Sequence, residues 1–117
     1  MPPLFPRRGE IYMGRMRARS PEHKRRPLII ISPDDRNRWA SNVLVIPAST
    51  HLKPSPTHVF LDRDEGGLPH TSVAKCEQIT TLEKSLLDAH PLGGALSEGR
   101  IGQLEKACLT ALGIFPE

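Results

Sequence analysis

The stretch Lys24-Arg25-Arg26-Pro27-Leu28-Ile29-Ile30-Ile31-Ser32-Pro33 indicates how this chain is built. Its continuous block of Leu and Ile is typical of a strand buried on both faces, and three cations stand directly before it. Proline fixes its own φ and favours extended geometry in the preceding residue, so Arg26 should leave the strand entrance in a defined direction. A guanidinium held in this way could bind a phosphate. Equally, the basic residues could only protect a hydrophobic strand against aggregation.

Outward from this block, short apolar segments alternate with turn residues, and one helical pattern closes the chain. Ser97 is expected to cap that amphipathic helix and Gly113 to end it. No helix separates the strands, which favours a small, mostly antiparallel barrel or half-barrel of the SH3-like kind over a parallel sheet. Strands are expected at 8–16, 27–32, 42–48, 57–62 and 72–82, the last as one strand or as two broken near Glu77-Gln78, with a helical turn at 33–39 and a short helix at 83–87.

The length of 117 residues predicts one domain, 1–117, with residues 1–7 as a flexible arm and residues 17–24 as a mobile loop. Charge is distributed unevenly along it. Residues 1–40 contain ten Lys and Arg against four Asp and Glu, whereas residues 41–117 contain six against nine. A basic first part predicts a polyanionic partner met by one face, although a solvated charged surface would have the same composition.

Several classes of protein are disfavoured. Two cysteines, Cys76 and Cys108, form neither a CxxC pair nor a disulfide framework, which fits a reduced cytoplasm. There is no apolar leader and no run approaching the ~18 apolar residues of a membrane span. The five histidines are scattered without metal-ligand spacing, so neither a metal nor another cofactor is expected.

Candidate site residues gather at the ends of predicted strands. Arg25 and Arg26 precede the second strand, and Ser49 and Thr50 follow the third. In the late strand, Lys75 and Glu77 are expected to share one face because strand side chains repeat every two residues. This pair would be either an acid–base pair or an ordinary salt bridge.

An ordered set of motifs then resembles the MazF/PemK (Kid) toxins of bacterial toxin–antitoxin systems, over about residues 7–114. The motifs are Arg8-Gly9-Glu10-Ile11-Tyr12, Arg26-Pro27-Leu28-Ile29-Ile30-Ile31-Ser32-Pro33, Val43-Leu44-Val45-Ile46-Pro47-Ala48-Ser49-Thr50, Gly67-Leu68-Pro69 and Cys76-Glu77-Gln78-Ile79-Thr80-Thr81.

The resemblance implies an SH3-like barrel with a C-terminal helix, a homodimer, and a cytoplasmic, metal-independent endoribonuclease that cuts single-stranded RNA at short sequences. It also implies a cognate antitoxin whose acidic tail fills the RNA groove. By position it assigns Arg26, Ser49, Glu77 and Lys75 to catalysis. Residues expected to bind RNA are His23, Lys24, Arg25, Thr50 and Gln78.

Within this assignment, Arg26 would stabilise charge on the phosphate and Glu77 would be the general base, with His23 as the competing acid or base. The loop 19–25 lacks the glycines that family members commonly carry ahead of Arg-Pro. Two alternatives therefore stay open. One is a non-catalytic relative that only binds RNA or antitoxin, and the other is a gyrase-directed toxin on the same fold, like the CcdB-like proteins.

Overall fold

The computed structural model describes residues 5–16 and 25–115. Six short strands and two α-helices make up this part of the chain. Three single 3-10 turns lie at Glu65–Gly67, Cys76–Gln78 and Lys84–Leu86. The strands and helices are β1 (Ile11–Gly14), β2 (Arg26–Ile30), α1 (Asp34–Trp39), β3 (Asn42–Ser49), β4 (His58–Leu61), β5 (Ser72–Lys75), β6 (Thr80–Glu83) and α2 (Glu98–Ala111).

Every strand pairing is antiparallel, which confirms the predicted sheet type. The order is β1-β2-β3-β5-β4, and β6 also pairs with β3. On the side of β3 away from β2, residues 42–45 pair with β6 and residues 48–49 pair with β5. Pro47 lies where β3 changes neighbours on that side. Proline has no N–H to give to a ladder, so this junction is a position where it costs no strand pairing.

Two apolar clusters cover the two faces of the sheet. Ile29 and Ile46 belong to the cluster that α2 covers with Leu104 and Ala107. Neighbouring positions along the same strands face the other cluster, whose members are Tyr12, Leu28, Ile30, Val43, Val45 and Leu82. The Leu-Ile block of β2 is therefore buried on both faces, as its composition predicted.

Helix α2 begins and ends as the sequence indicated. The Ser97 hydroxyl accepts a hydrogen bond from the Arg100 backbone N–H at 3.2 Å, and Gly113 follows the helix with φ +82°. The Arg100 guanidinium donates to both oxygens of Glu65 at 2.9 and 3.0 Å. The helix is thus fixed to the 3-10 turn between β4 and β5.

Some predicted bounds differ from the structure. The first strand is only Ile11–Gly14. Residues 72–82 form two strands separated by a 3-10 turn at Cys76–Gln78, which confirms the expected break near Glu77-Gln78. In the arm predicted for residues 1–7, Pro6 is buried and the Arg7 N–H donates to Glu10, so residues 5–7 lie against the domain. The loop predicted at 17–24 lies outside the described residues. Of the helices in the described ranges, none has the length and apolar character that crossing a membrane requires.

Candidate functional site

A basic cleft opens where three strands end side by side. Strand β3 lies between β2 and β5, and Leu28 pairs with Pro47, so continuing that register places Arg26 opposite Ser49. Ser49 pairs with Val73, and Lys75 stands two residues further along β5. Directly opposite residues and residues two apart point to the same face of a sheet. The strand register therefore puts Arg26, Ser49 and Lys75 on one face.

The cleft has a volume of about 510 Å³ and a strongly cationic lining. No carboxylate belongs to that lining in the described part of the chain. Such a surface is suited to a ligand with several negative oxygens, because guanidinium and ammonium groups donate charge-assisted hydrogen bonds to phosphate. The lining residues are Arg25, Arg26, Pro27, Ala48, Ser49, Thr50 and Lys75.

The Ser49 side chain is oriented by its own loop. Its Oγ accepts a hydrogen bond from the His51 backbone N–H at 3.1 Å. A hydroxyl that accepts in this way still has its proton to donate. Ser49 is half-buried at the end of β3, and it can direct that proton to an oxygen bound in the cleft.

Arg25 stands at the mouth of the cleft and pairs with Asp88, which lies 63 residues further along the chain. Arg25 and Asp88 also line a second, smaller pocket of about 220 Å³, together with Gly14, Arg15, Ser85, Leu86 and Leu87. The two pockets therefore meet at Arg25.

Glu77 does not line the cleft, and the expectation that it shares a strand face with Lys75 was wrong. β5 ends at Lys75, and Cys76–Gln78 form a 3-10 turn in which the Ile79 N–H donates to the Cys76 carbonyl. This turn takes Glu77 out of the two-residue alternation. No Lys75–Glu77 salt bridge forms among the described residues, and the carboxylate instead contacts Thr57 and His58.

The partners of Glu77 belong to the segment that enters β4. Thr57 Oγ1 donates to Glu77 Oε1 at 2.9 Å, and His58 Nε2 lies 3.2 Å from Oε2. The other ring nitrogen of His58 contacts the Lys53 carbonyl at 2.7 Å. Burial raises the pKa of the Glu77 carboxyl, but the hydrogen bonds from its own backbone N–H, His58 and Thr57 outweigh burial and lower the pKa overall. The group is therefore ionised at neutral pH.

The remaining predicted residues divide into two groups. Gln78 is exposed on the 3-10 turn and is absent from the cleft lining. His23 and Lys24 lie outside the described residues. Sequence reasoning missed Asp88 and His58. No motif marks either residue, because a single Asp in a loop and a single His in a short strand occur at many positions that have no role in a site.

Metal ligands are not gathered anywhere in the described ranges, where no three His, Cys, Asp or Glu side chains converge. Both cysteines are free thiols, with Cys76 buried against the core and Cys108 partly buried on α2.

Comparison with known proteins gives a family profile and several solved structures that are similar to this chain. The profile of the PemK-like, MazF-like toxins of type II toxin–antitoxin systems matches residues 7–112. A mycobacterial endoribonuclease solved in complex with its cognate antitoxin is 26% identical, with a TM-score of 0.78 over 96% of this chain and 99% of that chain.

Two further structures share the fold. The Mycobacterium tuberculosis toxin MazF-mt6 is 24% identical, with a TM-score of 0.76 over 90% of this chain and 97% of that one. MazF from Deinococcus radiodurans is 18% identical, with a TM-score of 0.79 over 96% of this chain and 100% of that one. With its profile match spanning nearly the whole sequence, the chain belongs to the PemK-like, MazF-like toxin family of type II toxin–antitoxin systems.

Proposed function

We propose that this protein is a metal-independent endoribonuclease that cuts single-stranded RNA at short sequences. The observation that carries the proposal is the cleft, in which Arg26, Ser49 and Lys75 lie on one sheet face around a space of about 510 Å³. These side chains supply positive charge and hydroxyl donors without a carboxylate in the described lining. The family's members are generally endoribonucleases, which agrees with this arrangement.

The proposed reaction uses the RNA's own 2′-OH as nucleophile. A base removes the 2′ proton, the 2′ oxygen bonds to the adjacent phosphorus, and the bond from phosphorus to the 5′ oxygen breaks. An acid returns a proton to the departing oxygen, giving a 2′,3′-cyclic phosphate and a 5′-OH. No water, electron or metal enters this step, so the protein needs to supply only proton transfer and stabilisation of charge.

Arg26 is proposed to hold the non-bridging oxygens of the phosphate as negative charge develops. A guanidinium stays protonated and can contact two oxygens at once. Ser49 and Thr50 would donate hydrogen bonds to a non-bridging oxygen. Lys75 would protonate the leaving 5′ oxygen or assist the phosphate, and Arg25 would assist the phosphate.

The base is proposed to be Glu77, with His23 as the alternative. Glu77 lies two residues after Lys75, which lines the cleft. Its carboxylate would have to break its hydrogen bonds with His58 and Thr57 to reach an RNA bound there. The ordinary pKa values of a carboxylate and a histidine lie in different ranges. A rate that bends near the ordinary His pKa of about 6.5 would assign His23, and a rate independent of pH down to about 4.5 would assign the carboxylate.

Two protein partners are proposed besides RNA. We propose a homodimer, and a cognate antitoxin whose acidic segment occupies the cationic cleft and excludes RNA. The family and the antitoxin-bound relative support this partner. Light scattering would test the dimer, and protection of RNA by a co-expressed antitoxin would test the inhibition.

The test of the proposal is cleavage of RNA by the purified protein in excess EDTA, with the ends of the products identified chemically. Cyclic-phosphate and 5′-OH ends at a recurring short sequence are the expected result. RNA that is bound but left intact would favour a non-catalytic relative, and inhibition of gyrase without RNA cleavage would favour the CcdB-like alternative.

A further inference from the structure

Asp88 is held rigidly next to the proposed RNA cleft. Its backbone N–H donates to the Met13 carbonyl at 2.8 Å, and Leu87 forms a β-bridge with Gly14. The Arg15 N–H also donates to the Leu86 carbonyl at 3.2 Å. These main-chain contacts attach the segment after β6 to the end of β1. The backbone that carries the Asp88 carboxylate is therefore fixed. The Arg25 side chain reaches this carboxylate and forms the ion pair.

The Arg25–Asp88 pair involves only one of the three cations in the cleft. Within residues 5–16 and 25–115, neither Arg26 nor Lys75 has a carboxylate within salt-bridge distance. Among the described residues, Arg25 is thus the cleft cation whose charge is matched by a carboxylate. Because Arg25 lines both pockets, it lies at their boundary.

We propose that Asp88 is a positioning residue that holds Arg25 at the mouth of the cleft and withholds its charge until an RNA phosphate displaces the carboxylate. This inference rests on the proposed ribonuclease function. Both side chains are about 45% exposed, and exposed ion pairs are weak, so a phosphate already bound by Arg26 and Lys75 can take over the guanidinium at low cost.

The proposal makes a prediction about salt dependence as well as affinity. Each cation that newly contacts a phosphate of single-stranded nucleic acid changes the slope of log K against log salt by about −0.7. Asp88→Asn leaves Arg25 uncompensated before RNA binds. We expect this variant to bind RNA about two- to fivefold more tightly at ~0.15 M salt, with a slope steeper by up to about 0.7.

The experiment is a salt titration of RNA binding followed by fluorescence anisotropy. The probe is a labelled 20-nucleotide mixed-sequence RNA pool carrying 2′-O-methyl groups, which removes the nucleophile and prevents cleavage. The variants are Asp88→Asn, Arg25→Gln and the double variant. Asp35→Asn, at an exposed position of α1, is the matched control, because it makes the same change of net charge away from the cleft.

The expected result is that Asp88→Asn steepens the slope, that Asp35→Asn does not, and that the effect disappears when Arg25 is Gln. A purely structural role for Asp88 would lower the melting temperature without changing the slope, and that outcome overturns the inference. An equal slope in the unmodified protein and Asp88→Asn overturns the inference alone. Failure of the unmodified protein to bind the pool at any salt overturns the proposed function together with it.

Discussion

Replacement of Arg26 by Gln removes the guanidinium and leaves a shorter, uncharged polar side chain. Arg26 is exposed, and its side chain makes no hydrogen bond or ion pair with the described residues. Its place in the sheet depends on the backbone, since it pairs with Gly14 through β1. A surface change of this kind shifts the free energy of unfolding by less than about 0.5 kcal/mol, or about 3 °C in melting temperature.

The effect on the reaction should be much larger than the effect on stability. Loss of one preorganised donor to transition-state charge typically costs 10²–10³ in rate, which corresponds to ~2.7–4 kcal/mol. Arg26 is one of three cations in the cleft, so the other two keep part of the RNA affinity. We therefore expect a fall in the single-turnover rate constant of about 10²–10³, with a smaller change in binding.

The assay is single-turnover cleavage of a labelled RNA in EDTA, with protein in excess. Arg38→Gln on α1 is the matched control, because it removes the same group from an exposed position outside the cleft. If Arg26→Gln retains more than about a tenth of the rate while the fold is intact, Arg26 has no place in the mechanism. Loss of activity in both variants would point to a general charge effect and would equally refute the reasoning.

Three further predictions concern single side chains. Ser49→Ala should lower the cleavage rate by about 10²-fold and Ser49→Thr should restore most of it, because only the hydroxyl is needed; equal rates for both variants would exclude a hydroxyl role. Glu77 has a lowered pKa in the folded state, so its stabilising contribution is present above its unfolded pKa of about 4.5 and is lost as pH falls through the lower folded value. In denaturant titrations, Glu77→Gln should therefore lower the free energy of unfolding at pH 7 and not at pH 2.5. The loss should be less than about 1 kcal/mol because the carboxylate is partly exposed. An equal loss of unfolding free energy at both pH values would contradict this prediction. Leu104→Ala should lower the free energy of unfolding by ~2–5 kcal/mol, because this side chain of α2 is fully buried. In the same titrations, Leu112→Ala is the control and should lower it by less than about 0.5 kcal/mol, because Leu112 is exposed. Similar losses in the two variants would show that the helix is not packed as described.

Much of the fold could be predicted because it depends on local signals. The Leu-Ile block of β2 indicated a strand buried on both faces, and Ser97 and Gly113 marked the ends of α2. The side-by-side placement of Arg26 and Ser49 was expected from the family resemblance, and strand register gives its physical reason. What these residues do in the reaction stays a prediction.

Other parts of the site depend on features that strand periodicity does not contain. The alternation of β5 predicted that Glu77 would follow Lys75 on one face, but the chain turns at Cys76 and sends the carboxylate to His58. The Arg25–Asp88 pair joins positions 63 residues apart. Both contacts arise from tertiary packing between segments that have no local pattern in common.

Strand β3 borders three others, holding β2 along one side and β6 and then β5 along the other. Withdrawing it would separate β2 from β5 and β6 at once, and the cations that line the cleft would no longer converge. The cleft therefore exists only while this central strand is in place.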